Sequence, residues 1–237
     1  MTLLLIDGDI IAYKAAASAE VATNWGNGQW TLHSFEPDVE VRIEDQIHKL
    51  LEAPVQDCVI AFTDKHNFRK DVASYYKANR KDTRKPMLLG YAKEYMSKQY
   101  NTIMYRNLEA DDVLGILGTK NRDTIIWSED KDLLTIPAKH WINGEVVEIT
   151  DAEADYQFYY QTLVGDNTDN YKGCPSVGSV TANKLLSSGC TWDTVVAAFK
   201  SKGLSEEVAL ENARLARILR DGEYNTETGE VYLWQPQ

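Results

Sequence analysis

Cysteine is scarce: Cys58, Cys174 and Cys190 are the only three in 237 residues. An odd number without short paired spacing excludes a disulfide framework and a thiolate zinc site, and suits free thiols in a reducing compartment. Long apolar runs are missing too. The first, Leu3-Leu4-Leu5-Ile6, ends at Asp7, too short for a signal-peptide core or a membrane span, so a cytoplasmic chain that meets no membrane is expected. There is no internal repeat or low-complexity tract. The four histidines, His33, His48, His66 and His140, are scattered and suggest no shared site. Positive charge is also short, with 25 Lys and Arg against 36 Asp and Glu and a net charge of −11. Such a balance argues against a polyanionic partner, until the distribution is read. Lys65, Arg69, Lys70, Lys77, Arg80, Lys81, Arg84 and Lys85 fall together against only Asp71 and Asp82, a basic island in an acidic chain.

What the chain does have is a 43% hydrophobic content, enough for a core, and acids in particular places. Glu109, Asp111 and Asp112 open a helical pattern in which Val113, Leu114 and Leu117 share an apolar face. Acids also favour a helix start through the macrodipole, so the cluster alone does not define a site. Further acids follow strand-like runs: Asp7 and Asp9 after Leu3–Ile6, Asp64 after Val59–Thr63, Asp130 and Asp132 after Thr124–Ser128. In an open parallel sheet those strand ends share the edge where ligands bind. Carboxylates gathered there repel one another unless a cation joins them, and hard oxygen donors suit Mg²⁺ or Mn²⁺.

The predicted elements alternate. A helix is expected over 10–21, a hairpin around Trp25–Trp30, helices over 38–52 and from Pro86 to about Gln99, and strands over 58–63, 102–105 and 124–128. A second hairpin is expected over 141–149, turning at Asn143-Gly144. This predicts an α/β fold with a mainly parallel sheet over residues 1–150. Residues 151–237 read as helical, with helices over 154–163, 178–186, 191–200 and 205–220 and a late strand over 231–234. The basic stretch 65–85 reads as a charged loop of little apolar content, mobile until phosphates meet its cations.

Two further patterns bear on ligands. Gly173 to Ala182 is a Gly-rich turn opening onto a helix start, where backbone N–H groups can hold a phosphate, with Lys172 and Lys184 on either side; it also reads as a tight turn. Asn67-Phe68-Arg69-Lys70 and Tyr75-Tyr76-Lys77-Ala78-Asn79-Arg80 interleave bases with aromatics, which suits a nucleic-acid strand, or a solvated helix face. Asp130 with Asp132, and Asp166 with Asp169 in GDNTDN, are turn-like alone and specific only together.

IDGD at 6–9, FTDKHNFRK at 62–70, YKANR at 76–80, EADD at 109–112, SEDKD at 128–132, GDNTDNYKG at 165–173 and PSVGSVTANKLL at 175–186 resemble the 5′ nucleases of the flap endonuclease superfamily. The likeness to the small stand-alone exonucleases of tailed phages extends to ARILRDGEYN at 216–225 and VYLW at 231–234. The resemblance implies a PIN-like core with a helix-two-turns-helix element. It implies two divalent metals, Mg²⁺ or Mn²⁺, the first around Asp7, Asp64, Asp111 and Asp112 and the second around Asp130, Asp132, Asp166 and Asp169, with Glu109 acting through water. Lys77 would meet the scissile phosphate and Arg80 assist. Arg69, Lys172, Gly173, Gly178, Ser179 and Lys184 would contact DNA, with K⁺ at the glycine turn. Asp9 receives no role, and 65–85 is short for a full arch. The implied activity is 5′ to 3′ exonuclease action on duplex DNA with 5′ ends, nicks or gaps, and on RNA–DNA hybrids. It would leave 5′-phosphorylated products and serve primer removal and recombination beside phage replication proteins in the host cell. A flap endonuclease, a PIN-like endoribonuclease and an inert DNA-structure-binding protein are the rival expectations.

Overall fold

The computed structural model describes residues 2–51, 55 and 57–236. Strand β1 (Leu3–Asp7) sends Leu4 and Ile6 to one face and Leu5 to the other, the period-two alternation of a strand. All three are buried, as a strand covered on both faces requires. The chain continues through α1 (Gly8–Ser18), β2 (Val21–Gly26), β3 (Gln29–His33), α2 (Glu36–Leu50), β4 (Asp57–Ala61), α3 (Arg69–Val72), α4 (Leu89–Gln99) and β5 (Thr102–Ile103). Then come α5 (Ala110–Lys120), β6 (Thr124–Trp127), β7 (Lys139–Ile142), β8 (Glu145–Glu148) and the helices α6 (Asp151–Val164), α7 (Ser179–Ser188), α8 (Trp192–Lys200) and α9 (Glu206–Ala216). Short strands β9 (Tyr224–Asn225) and β10 (Glu230–Val231) pair near the C-terminus.

The central sheet runs β5-β4-β1-β6-β7-β8, parallel throughout except for the β7–β8 hairpin. Because β1 lies between β4 and β6, the carboxyl ends of all three open on one edge. On one face Ile11, Ala12, Val39, Ile43, Ala92 and Met96 of α1, α2 and α4 bury Leu4, Ile6 and Ile60. On the other, α5 covers Leu5, Ala61 and Ile126 with Val113 and Leu114. Each such buried Leu, Ile or Val contributes about 1.5–3 kcal/mol. A third cluster joins Phe158, Trp192, Phe199 and Ala213 of the C-terminal helices to Ala73 and Tyr76. Gly8 is fixed by packing: a Cβ there would come within 2.6 Å of Ile60 and Phe62 side chains.

The mainly parallel α/β architecture is as the sequence predicts, and several boundaries move for identifiable reasons. Helix α1 stops at Ser18, because the Glu20 carboxylate takes Arg84 and the Met87 N–H while Val21 pairs with His33 in the hairpin. For the same reason α4 begins at Leu89, not at Pro86. The predicted helix over 38–52 runs from Glu36 to Leu50, and its expected last residue, Glu52, lies outside the described residues. Helix α9 ends at Ala216, since the backbone from Leu215 to Leu219 turns to Arg69 and Asp112. The late strand is only Glu230–Val231, and Trp234 instead meets Phe158 and Trp192 edge to face at 5.1 Å. The stretch 65–85 is corrected most: Phe68, Arg69, Ala73 and Tyr76 are buried, so its first half is anchored in the core.

Candidate active site

Asp7 ends β1 and caps α1, its carboxylate accepting from the N–H groups of Asp9 (3.0 Å) and Ile10 (3.2 Å) and from the Ser128 hydroxyl (3.1 Å). Burial, with the charge of Asp9, pushes it up to about 6. Asp111 opens α5 beside it and is raised well above the usual carboxylate range by burial and by Asp7, Glu109 and Asp130. Asp130 accepts the N–H of Asp132 at 2.9 Å and so starts the 3₁₀ turn Lys131–Thr135. Asp132 is held by the Gln161 amide at 2.7 Å, and burial with the charges of Asp130, Asp166 and Asp169 pushes it up to about 7.

The other acids carry cations. Glu109 caps α5 in a capping box with Asp112 and is ion-paired with Lys77. It also accepts from the Tyr76 hydroxyl at 3.0 Å. Burial alone would raise it, but the charges of Lys77 and Arg69 bring it down to about 2. Asp169 accepts from Tyr76 at 2.6 Å and from Arg80 at 2.6 Å, with Lys77 at 3.4 Å. Lys77 itself stands at φ 54°, and its N–H donates to the Asp169 carbonyl at 2.9 Å. A non-glycine residue held there costs energy that surrounding contacts must offset, and here they aim its ammonium into the acids.

A cavity of about 310 Å³ is lined by Asp7, Asp9, Lys77, Arg80, Glu109, Asp111, Asp130, Asp132 and Asp169. A second of about 420 Å³ adds Asp166 and Gln161 and shares Arg80, Asp130, Asp132 and Asp169. The loop carrying Asp166 and Asp169 closes by a bridge between Asp166 and Tyr171. Gly165 (φ 74°) and Gly173 (φ 64°) meet there backbone to backbone, where a Cβ on either would fall within 2.4 Å of main-chain atoms.

Two expected roles change, and Asp64 stands apart from the other acids. Asp112 is wholly buried and forms a two-point pair with Arg69 at 2.7 Å each, while accepting from the N–H groups of Leu219 (3.1 Å) and Glu109 (3.2 Å). Its oxygens are saturated, so it is no metal ligand. Arg69 is correspondingly no DNA contact, being enclosed with its fork also donating to the Leu215 and Arg217 carbonyls. Asp64 lies outside both acidic cavities, accepting from the Lys65 and Asn107 N–H groups at 2.7 and 2.8 Å and stapling two loops together. The Asn107 hydrogen bond leads in holding it below the usual carboxylate range.

Asp9, given no role from sequence, lines the cavity and pairs with Lys93 at 2.5 Å. Tyr76, Ser128 and Gln161 were missed as partners of the acids. The first two sit inside YKANR and SEDKD, while nothing marks Gln161 in its helix. Lys172, Gly178, Ser179 and Lys184 are exposed, Gly173 is buried, and α7 starts with no side-chain cap on its first N–H groups.

Among the described residues no three carboxylate, imidazole or thiol groups meet as a ready metal cage. The donor set nonetheless fits a hard divalent cation: all its ligating atoms are carboxylate oxygens, and the charge at Asp7, Asp111 and Asp132 is left uncompensated by Lys77 and Arg80.

The profile of the 5′-3′ exonuclease N-terminal resolvase-like domain matches residues 2–164. The exodeoxyribonuclease of Enterobacteria phage T3 and the exonuclease of Escherichia phage T7 are each 29% identical to this chain, covering 99% of it and 93% of their own length. The phage T5 flap endonuclease, solved in a complex with DNA and metal ions, superposes with a TM-score of 0.66 at 16% identity over 91% of this chain and 89% of that one, a likeness of fold.

Proposed function

The chain belongs to the 5′-3′ exonuclease family, and on that premise we propose that it is a divalent-metal-dependent enzyme hydrolysing duplex DNA, and RNA in RNA–DNA hybrids, from 5′ ends. Its products carry 5′ phosphates, and its setting is primer removal and end trimming beside replication proteins in an infected cell. The observation that supports this reading is the acidic cavity in which Lys77 and Arg80 stand among Glu109, Asp111, Asp132 and Asp169.

Asp7, Asp111 and Asp130 would hold one Mg²⁺ or Mn²⁺, and Asp132, Asp166 and Asp169 the other. When bound, the two ions supply an activated water and charge neutralisation at the departing 3′ oxygen. Lys77 and Arg80 bring positive charge to the phosphate and are pre-aimed by Glu109 and Asp169. Tyr76 keeps those two acids in fixed relation through its hydroxyl. Glu109, ionised by its partners, keeps Lys77 protonated and orients water at the cavity wall. Catalysis thus draws on residues 1–150 and on Gln161, Asp166 and Asp169 of 151–237. The remainder of 151–237 holds the duplex through Lys172, Gly178, Ser179 and Lys184, with K⁺ at the turn before α7, whereas Gly173 is withdrawn from that set because it is buried and its N–H donates to the Asn212 side-chain carbonyl at 3.0 Å.

The test is cleavage of 5′-labelled duplex DNA, an RNA–DNA hybrid, a 5′ flap and single-stranded RNA, with and without Mg²⁺. Mg²⁺-dependent release of short 5′-phosphorylated products from duplex and hybrid is expected. Cleavage of RNA alone would favour the endoribonuclease, a flap-only pattern the structure-specific endonuclease, and binding without cleavage the inert binder.

A further inference from the structure

The β2–β3 hairpin packs into none of the three hydrophobic clusters. No residue from Val21 to His33 is buried, and Trp25 and Trp30 are 68% and 63% exposed. In a chain 26% charged, residues 21–33 contain no Asp, Glu, Lys or Arg. Asn27 and Gly28, with φ of 51° and 77°, form the tight turn. Trp30 pairs across from Asn24, while the Trp25 indole N–H donates to the Thr31 hydroxyl at 2.8 Å, so the indoles occupy opposite faces. Two-stranded ribbons standing free in water are marginal, and exposing two indoles on one gains nothing for folding.

The position of the hairpin decides what it meets. At its foot Glu20 grips the Arg84 guanidinium at 2.6 and 2.8 Å and the Met87 N–H at 2.8 Å. Arg84 lies four residues beyond Arg80, which lines the acidic cavity, so at most about 14 Å of chain separates them. The basic stretch therefore leads from the cavity to the hairpin. Aromatic faces flanked by Asn, Gln and Thr, with no anionic group to repel phosphate, match unpaired bases, since every base has a face to stack. A second copy of the chain fits less well: these thirteen residues fall short of the roughly 20–30 per side of a standard protein interface.

We infer that the β2–β3 hairpin is a stacking site for unpaired bases of a nucleic-acid strand, with Trp25 and Trp30 as its two platforms. The choice of ligand rests on the nuclease reading, but the site is tested without cleavage. The full chain and a Trp25→Ala/Trp30→Ala double variant are titrated, in EDTA, against a labelled single strand and a blunt duplex of equal length. The single strand should quench the wild-type tryptophan emission, and the variant should bind it roughly tenfold or more weakly. Affinity for the blunt duplex should stay within about twofold, since backbone contacts lie elsewhere. Equal single-strand affinity of the two proteins would overturn the assignment. So would sedimentation showing a wild-type dimer and a monomeric variant, which would make the hairpin a self-association surface. Absence of Mg²⁺-dependent cleavage by the wild type would refute the nuclease reading and leave this binding result standing.

Discussion

In the half of the acidic cavity built by β1, the start of α5 and the turn after β6, Asp7, Asp111 and Asp132 line the same space with no ion pair among the described residues. Toward residues 69–80, Glu109 and Asp169 at the cavity wall and Asp112 buried behind it each hold a Lys or Arg. All are carboxylates and the outcome is opposite: burial without a partner raises Asp7 and Asp132 to about 6 and about 7, while burial with cations leaves Glu109 at about 2. One group is a set of ligands awaiting charge, and the other already holds cations, with Asp169 the one proposed metal ligand among them. Asp111 and Asp112, adjacent in sequence, fall on either side of that division.

The comparison can be broken most severely in the uncompensated half. Asp132→Asn should lower cleavage by about 10²–10³-fold, the scale of losing one electrostatic element of a site, while DNA affinity in Ca²⁺ stays near wild type. Cleavage near the wild-type rate at moderate Mg²⁺ would remove Asp132 from the metal set. In the neutralised half, Lys77→Ala should slow single-turnover cleavage on the order of a hundredfold while weakening binding far less, because its charge meets the transition state more strongly than the ground state. Proportional losses of rate and affinity would reduce Lys77 to a DNA-holding role.

Stability separates the adjacent aspartates. Asp112→Ala strands Arg69 in the interior and should cost about 3–5 kcal/mol in urea denaturation. Asp111→Asn removes an unpaired buried charge and should raise the Tm of the metal-free protein; a lower Tm would contradict the division. The same contrast has a pH signature. A carboxylate raised by folding binds more protons in the folded state, so the contribution of Asp7 and Asp132 to stability falls as pH rises from about 4, near their ordinary 3.8, to about 6 and 7. Metal-free protein should therefore gain stability from this source on going from pH 7.5 to 5.5, and added Mg²⁺ should diminish the gain. His140, buried and lowered, acts oppositely below 6.5, so a His140→Asn background isolates the effect.

The smallest effect lies outside the cavity. Lys184→Ala, on the exposed side of α7, should weaken duplex binding equally for all sequences and reduce the salt dependence by about one ion. A changed sequence preference at unchanged affinity would show a base contact instead.

Much of this was legible in the chain because the signals were local. Alternating apolar runs ending in acids define β1, β4 and β6, and their parallel pairing brings Asp7, Asp111, Asp130 and Asp132 toward one edge. Asn27-Gly28 and Asn143-Gly144 marked both hairpins. What was not legible depended on partners far away in sequence. Nothing near Asp112 distinguishes it from Asp111; the difference is Arg69, 43 residues earlier, and the Leu219 N–H, 107 residues later. Arg69 reads as part of a basic surface until the Leu215 and Arg217 carbonyls enclose it, and the same contacts end α9 four residues before its sequence pattern does.

The sequence by itself determined the alternation of strands and helices, the carboxyl-end placement of the acids and the presence of a basic stretch, since each follows from periodicity and spacing along a few residues. The tertiary structure alone decided which acids are paired with cations and which are buried without a partner. A buried charge takes its protonation and its role from whatever the fold packs within hydrogen-bond reach, and that company comes from distant parts of the chain.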